Sequence, residues 1–337
     1  MSGALAPARN RAGQEVTLAG IQAPVRARLD QVFPELHRIV VHDLPMIGQV
    51  SAHLLQMRGK MFRPTLALLA SDVDGKSEDA AVTLAAALEL MHLATLVHDD
   101  SVDHSVLRRG LPTVNALFSH QVSVIMGDFL YSRALTAMVK LRSLTVMRIL
   151  TEVSSELAVG EMRQLAAVDA LDFDEEAYVA LIRSKTGSLL AASCECGSLF
   201  GAERHRGSLR RYGERLGLAF QIADDLIDYT ENSSVTGKPS GLDLKEHKVT
   251  LPLIGALPRM SKAARSRVDA LFAEESPSDD MVAEVVRIVA EAGGLEYARQ
   301  RGAAFADEAY DALSTMPDSP VRGALADAIV YVMDRRS

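Results

Sequence analysis

Tryptophan is absent from this chain, cysteine occurs twice, and aromatic residues make up only 5% of it. The two cysteines, Cys194 and Cys196, lie two positions apart in an Ala/Gly/Ser-rich run. On a helix that spacing points them to different sides, which excludes a shared disulfide or metal and reads as buried thiols in a reducing cytosol. A sustained Val/Ile-rich alternation is also missing, and no Asn-Gly or Asp-Gly pair separates two such runs, so a sheet-based fold is excluded. Basic charge is in deficit: the net charge is −8 and the pI about 5.6, which leaves no electrostatic footprint for nucleic acid. The longest apolar stretch, around 80–97, is interrupted by Glu89 and His92 and falls short of a membrane span. A secretory signal is missing too. The first twenty residues read as a loose, disordered tail, because Glu15 and the shortness of the segment argue against a transit peptide.

What remains is 337 residues, 48% apolar, rich in Ala and Leu and with 13 Met. Long apolar runs at helical spacing predict an all-α fold with a large core, here taken as one domain over 21–337. The pattern predicts helices over 22–56, 64–72, 77–103, 113–141, 145–168, 175–202, 206–230, 249–258, 261–274, 280–292, 295–314 and 319–335. Pro34 and Pro45 are expected to break the first of these or to start a turn in it, while Pro64 suits a first helical turn. The polar stretch 231–248 is the longest interior loop, and a loop of that length beside a candidate site is usually functional.

Two copies of one acidic pattern stand out. Asp99-Asp100-x-x-Asp103 and, 125 positions later, Asp224-Asp225-x-x-Asp228 each follow an apolar run without proline. On a helix the first and last Asp of each pattern share a face one turn apart. Clustered carboxylates repel unless a cation lies between them, and hard ions such as Mg²⁺ take oxygen ligands completed by phosphates. A single copy is most simply a solvated acidic face. Two copies flanked by apolar helix point to a multi-metal site for a diphosphate.

Five ordered blocks carry a resemblance: GKMFRP at 59–64, HDDSVDHSVLRRG at 98–110 followed by PTVNAL, MGDFLYSRA at 126–134, KTGSL at 185–189, and FQIADDLIDY at 220–229 with GKPSGLDLKEHKVTLPLI at 237–254. Together they resemble the trans-prenyltransferase, or polyprenyl diphosphate synthase, family over Gly59 to about Leu253. The resemblance implies a helical bundle of the isoprenoid synthase type with a central active-site cavity. It implies Mg²⁺-dependent condensation of isopentenyl diphosphate onto an allylic diphosphate, with three ions per site, in a cytoplasmic homodimer. Asp99, Asp103 and Asp224 are the expected metal ligands. Asp100 and Asp225 read either as further ligands or as acceptors that orient water or a base, and Asp228 lies close by.

By the same resemblance Arg108, Lys185, Lys238 and Lys248, with Thr186 and Gln221, contact the allylic diphosphate. Lys60, Arg63, His92 and Arg109 take isopentenyl diphosphate without metal. Gly59 is expected to let the backbone approach an anion. On residues alone, His92 would be a satisfied core histidine and Lys248 a surface base paired to a neighbouring acid. Two positions depart from the family pattern: Met61 replaces a base, and His247 replaces a glycine.

Product length is expected to be set by steric gating below Asp99. Ala94 and Thr95 leave the first gate without an aromatic plug, Met91 and Leu90 follow, and Leu135, Met138 and Val139 are candidate floor residues. The expectation is a long all-trans product of about seven to ten isoprene units, since a deeper apolar tunnel buries more methylenes, with peripheral membrane contact for its release. A geranylgeranyl or farnesyl diphosphate synthase is the alternative. A terpene cyclase fits less well, because the second motif repeats DDxxD and the GKxxRP block is present. A non-catalytic partner subunit is disfavoured by the two intact acidic motifs.

Overall fold

The structure, a computed structural model, describes residues 10, 13–57, 59–166, 173–230 and 241–334. The chain runs through α1 (Leu18–Gln22), α2 (Arg26–Val40), α3 (Pro45–Gln56), α4 (Phe62–Ser71) and α5 (Ala80–Val102). It continues through α6 (Val114–Leu117), α7 (His120–Lys140), α8 (Leu144–Ala166), α9 (Glu175–Ile182), α10 (Ser188–Ser198) and α11 (Arg206–Thr230). The last helices are α12 (Leu242–Lys245), α13 (Leu251–Ala256), α14 (Lys262–Phe272), α15 (Asp279–Glu291), α16 (Gly294–Ala312) and α17 (Pro320–Met333). Among the described residues the one sheet is a two-stranded hairpin, Leu107–Arg108 with Leu111–Pro112. Helix starts are capped in the ordinary way: Ser119, Asp174, Ser261, Ser278 and Ser319 each accept the N–H three residues on.

The all-α expectation is met, with local differences. Pro34 breaks nothing and sits inside α2. Its missing N–H costs little there, because Asp30, one turn before, lies on the exposed side, where water can serve the orphaned carbonyl. The segment 113–141 divides at Phe118, where Ser119 caps a new helix. The segment 175–202 is interrupted by a π-helical turn, Arg183–Gly187. Part of the expected loose tail is placed: Val16 is buried, Thr17 caps α1, and the Asn10 amide donates to Asp327 at 3.1 Å.

A central group of helices forms the core. α5 packs on α2, α4 and α7, α10 lies between α4 and α11, and α11 packs on α16. α5 is 23 residues long, enough by length and composition to cross a membrane, as is α7. Its burial tells against that: the five consecutive residues Leu84–Leu88 have no exposed surface, so its all-round apolar character is that of a core helix. Glycine permits the closest approach between helices. A Cβ on Gly217 of α11 would lie 2.7 Å from the Gly187 Cα in the π turn. A smaller hydrophobic cluster, including Tyr229, Leu244, Leu253, Leu271 and Val285, joins the end of α11 to α12–α15. Cys194 and Cys196 are free and buried, as expected.

Candidate active site

The first acidic motif closes α5. Asp103 caps the helix, its N–H bonded to the Asp99 carbonyl at 2.8 Å, so the two carboxylates stand one turn apart. Asp100 turns the other way. It is buried, and both its oxygens accept the Arg108 Nε–H at 2.8 Å. That pair ties the hairpin to the end of α5 and engages Arg108 with Asp100. Burial, then the charges of Glu161 and Asp103, push the Asp99 carboxyl up to about 6, against the pull of Lys185 and Arg108. Two further carboxylates therefore act on Asp99.

Lys185 stands in the π turn, and its ammonium reaches Glu161 Oε1 at 2.8 Å and donates to Gln164 Oε1 at 2.7 Å. Glu161 and Gln164 on α8 were not singled out from sequence. The usable signal was their spacing, two polar side chains three residues apart on one helix face. The next residue, Thr186, donates to Gln221 Oε1 at 2.8 Å, and Gln221 Nε2 donates to Asp225 Oδ1 at 2.9 Å. Tyr178 Oη donates to the other oxygen of Asp225 at 2.6 Å. Asp225 is thus a buried, hydrogen-bonded acceptor, which favours the orienting role over direct ligation, while Asp224 is exposed beside it on α11. Burial raises the Asp225 carboxyl, partly offset by the bonds from Tyr178 and Gln221. Burial, then the charges of Asp225 and Asp228, raises Asp243, a carboxylate the sequence reading did not pick out.

Lys248 donates to Glu246 Oε2 at 2.6 Å, the bland pairing expected of a surface base. It also feels Asp243 and Asp103; burial works against the ammonium, but Glu246, Asp243 and Asp103 together hold it above its ordinary range. Carboxylates from both motif regions thus act on the Lys248 ammonium. Lys238 lies outside the described residues.

The second basic group gathers where α4, α5 and the hairpin meet. Lys60 Nζ lies 5.8 Å over the Tyr331 ring of α17, Arg63 stands in the first turn of α4, and His92 in the middle of α5. Arg109, at a left-handed φ of +51°, donates to the Met57 carbonyl at 2.7 Å. The space beside Gly59 expected to admit an anion instead holds the Arg109 guanidinium, 3.0 Å from where a Cβ would stand. Below these bases is a small cavity of about 30 Å³, lined among others by Glu89, His92, Leu93 and Arg109. Burial, then the charges of Arg63, Arg109 and Arg108, holds His92 well below its usual range, so its imidazole is neutral. Burial raises Glu89, which the sequence marked only as a break in an apolar run, despite Arg63 and Arg109 nearby.

The sequence pattern of the family described as polyprenyl synthetase matches residues 44–289. The chain belongs to this family. It is 37% identical over 315 residues to an octaprenyl diphosphate synthase of Escherichia coli, covering 91% of this chain and 92% of that one. It is 35% identical to an all-trans-nonaprenyl-diphosphate synthase (geranyl-diphosphate specific) of Rhodobacter capsulatus, covering 94% and 97%. Among solved structures, a polyprenyl synthase from Caulobacter crescentus complexed with calcium and isoprenyl diphosphate superposes with a TM-score of 0.90 at 32% identity, covering 96% and 99%. The fold is that of the all-α isoprenoid synthases, and the chain is a prenyltransferase of the long-chain type.

Donor chemistry at the polyprenyl synthetase site fits a hard cation, since Asp99, Asp103 and Asp224 offer oxygen alone. Among the described residues no three His, Cys, Asp or Glu side chains converge to hold an ion unaided. Such a set suits Mg²⁺, which keeps waters and takes substrate phosphates to complete its shell.

Below Asp99 the helix wall is apolar. Ala94 and Met91 are buried, and Thr95 turns its hydroxyl back to the His92 carbonyl at 2.8 Å. α7 runs down beside α5: Ser123 Oγ donates to the Val97 carbonyl at 3.2 Å, and Met138, fully buried, lies about four turns deeper. Of the candidate floor residues, Leu135 packs against the core, but Val139 is 59% exposed and is not part of a floor. It lies on the outer face because the residue before it takes the inward position.

Proposed function

We propose that this chain makes a long all-trans polyprenyl diphosphate of about seven to ten isoprene units, by Mg²⁺-dependent addition of isopentenyl diphosphate to an allylic diphosphate. One observation carries the reading: Thr186 donates to Gln221, which donates to Asp225 of the second acidic motif, while the adjacent Lys185 pulls on Asp99 of the first, so one turn serves both motifs. Three ions bound by Asp99, Asp103, Asp224 and the diphosphate would supply the positive charge that draws off the leaving group. Lys185, Arg108, Lys238 and Lys248 spread the charge of the departing diphosphate, which is where a transition state of ionisation needs help. Thr186 and Gln221 orient the rim of that pocket, and Asp225 holds Gln221 in place.

Lys60, Arg63, His92 and Arg109 hold isopentenyl diphosphate so that its double bond faces the allylic carbon. The neutral imidazole of His92 acts there as a hydrogen-bonding group rather than as a charge. Loss of a proton to the departed diphosphate completes the turnover, and the product tail descends along Ala94, Thr95 and Met91. The enzyme works as a cytoplasmic homodimer of one-domain subunits, with peripheral membrane contact as the oily product leaves. Incubating purified protein with farnesyl diphosphate, labelled isopentenyl diphosphate and Mg²⁺, then sizing the product, is the test. Chains of seven to ten units are expected, with no product in chelator. A product that stops at four units would make it a geranylgeranyl diphosphate synthase.

A further inference from the structure

The two acidic motifs are alike in sequence, but their third aspartates are used differently. Asp103 is exposed at the end of α5, and no hydrogen bond to its side chain is seen among the described residues. Asp228 has both oxygens engaged. Its Oδ1 accepts the Leu242 N–H and its Oδ2 the Asp243 N–H, each at 3.1 Å, and its carbonyl accepts the Gly241 N–H at 2.8 Å. Three bonds from one residue thus pin the start of the one-turn helix α12 to the last turn of α11.

The pin is passed on along the chain. The Asp243 carbonyl accepts the Lys248 N–H at 2.8 Å, and His247 between them takes a left-handed φ of +56° to close the turn. Asp228 therefore fixes Asp243 directly and Lys248 through it. Both side-chain bonds fix the direction of the Asp228 carboxylate and satisfy two backbone amides at the start of α12 that would otherwise need other acceptors.

We propose that Asp228 is a positioning residue that holds Lys248 over the allylic diphosphate. The inference rests on the reading of that space as the allylic diphosphate site.

Asp228→Ala, Lys248→Ala and the double variant test it by steady-state kinetics with farnesyl and isopentenyl diphosphates. Asp228→Ala is expected to raise KM for farnesyl diphosphate about tenfold, and to add less than about twofold in the Lys248→Ala background, because the two act as one unit. KM for isopentenyl diphosphate and the Mg²⁺ concentration for half activation stay unchanged. Asp228→Asn keeps one acceptor and should fall between wild type and Asp228→Ala, and it serves where the alanine variant does not fold. A severalfold rise in half-activating Mg²⁺, or effects of the two substitutions that multiply, overturns the proposal. A wild-type enzyme that releases no diphosphate refutes the functional reading instead. In that case hydrogen exchange at the Leu242 and Asp243 amides decides the anchor: faster exchange in Asp228→Asn supports it and unchanged exchange overturns it.

Discussion

Tyr178 Oη donates to Asp225 Oδ2 at 2.6 Å, across 47 residues of sequence, and both side chains are buried. The bond joins α9 to the second acidic motif and leaves Asp225 with Gln221 as its other donor. Tyr178→Phe keeps the shape and removes the donor. A hydrogen bond to a charged group is worth about 1.5–3 kcal/mol, and a loss in that range is expected from urea unfolding with an unchanged m-value. Unchanged stability would mean that the tyrosine hydroxyl does not support Asp225.

Why Tyr178, Glu161 and Asp243 escaped the sequence reading follows from their geometry. Each acts on a partner that the fold, not local spacing, brings near: Tyr178 meets Asp225 across 47 residues, and the Asp243 amide meets Asp228 across 15. The acidic motifs and the KTG block were legible because their chemistry is written within a single helical turn. The burial of α5 was legible as well, since apolar residues surround it on every side. Pro34 misled, because a proline is tolerated inside a helix where the carbonyl it orphans lies on a wet face. At His247 the family's glycine is explained by the positive φ, which histidine here adopts at a steric cost.

Ala94 is buried on α5, about 7.5 Å below Asp99 at 1.5 Å rise per residue. Ala94→Phe should place a ring across the path of the growing chain and shorten the product, as seen by chromatographic sizing. Met138→Ala, about four turns down α7 from the contact with Val97, should lengthen it or broaden its distribution. Product lengths unaffected by Ala94→Phe would show that this residue does not line the tunnel.

His92 is neutral in the folded protein because burial and three arginines oppose its charge. Its folded pKa is below the unfolded value, so the unfolded state takes up the proton first. The contribution is therefore fully present above about pH 6.5 and is lost as pH falls below it. His92→Gln carries no titrating group and should flatten that acid-side loss. Thermal midpoints of both proteins at about pH 7.5 and 5.5, on either side of the unfolded value, check this. Parallel losses would place the titration elsewhere.

Gly217 connects the packing of the helices to the chemistry. A Cβ there would lie 2.7 Å from Gly187 Cα, in the same π turn that presents Lys185 and Thr186. Backbone cannot yield as a flexible side chain does, so Gly217→Ala must push α11 away from that turn. Overpacking of this kind costs about 1–3 kcal/mol. Because the displaced turn carries Lys185, KM for the allylic diphosphate should rise as well, while KM for isopentenyl diphosphate, whose bases stand on α4 and just before it, on α5 and on the hairpin, should hold. Denaturant unfolding and the two KM values are the measurements. A loss of stability with both KM values unchanged would show that the π turn moves without carrying Lys185 out of place.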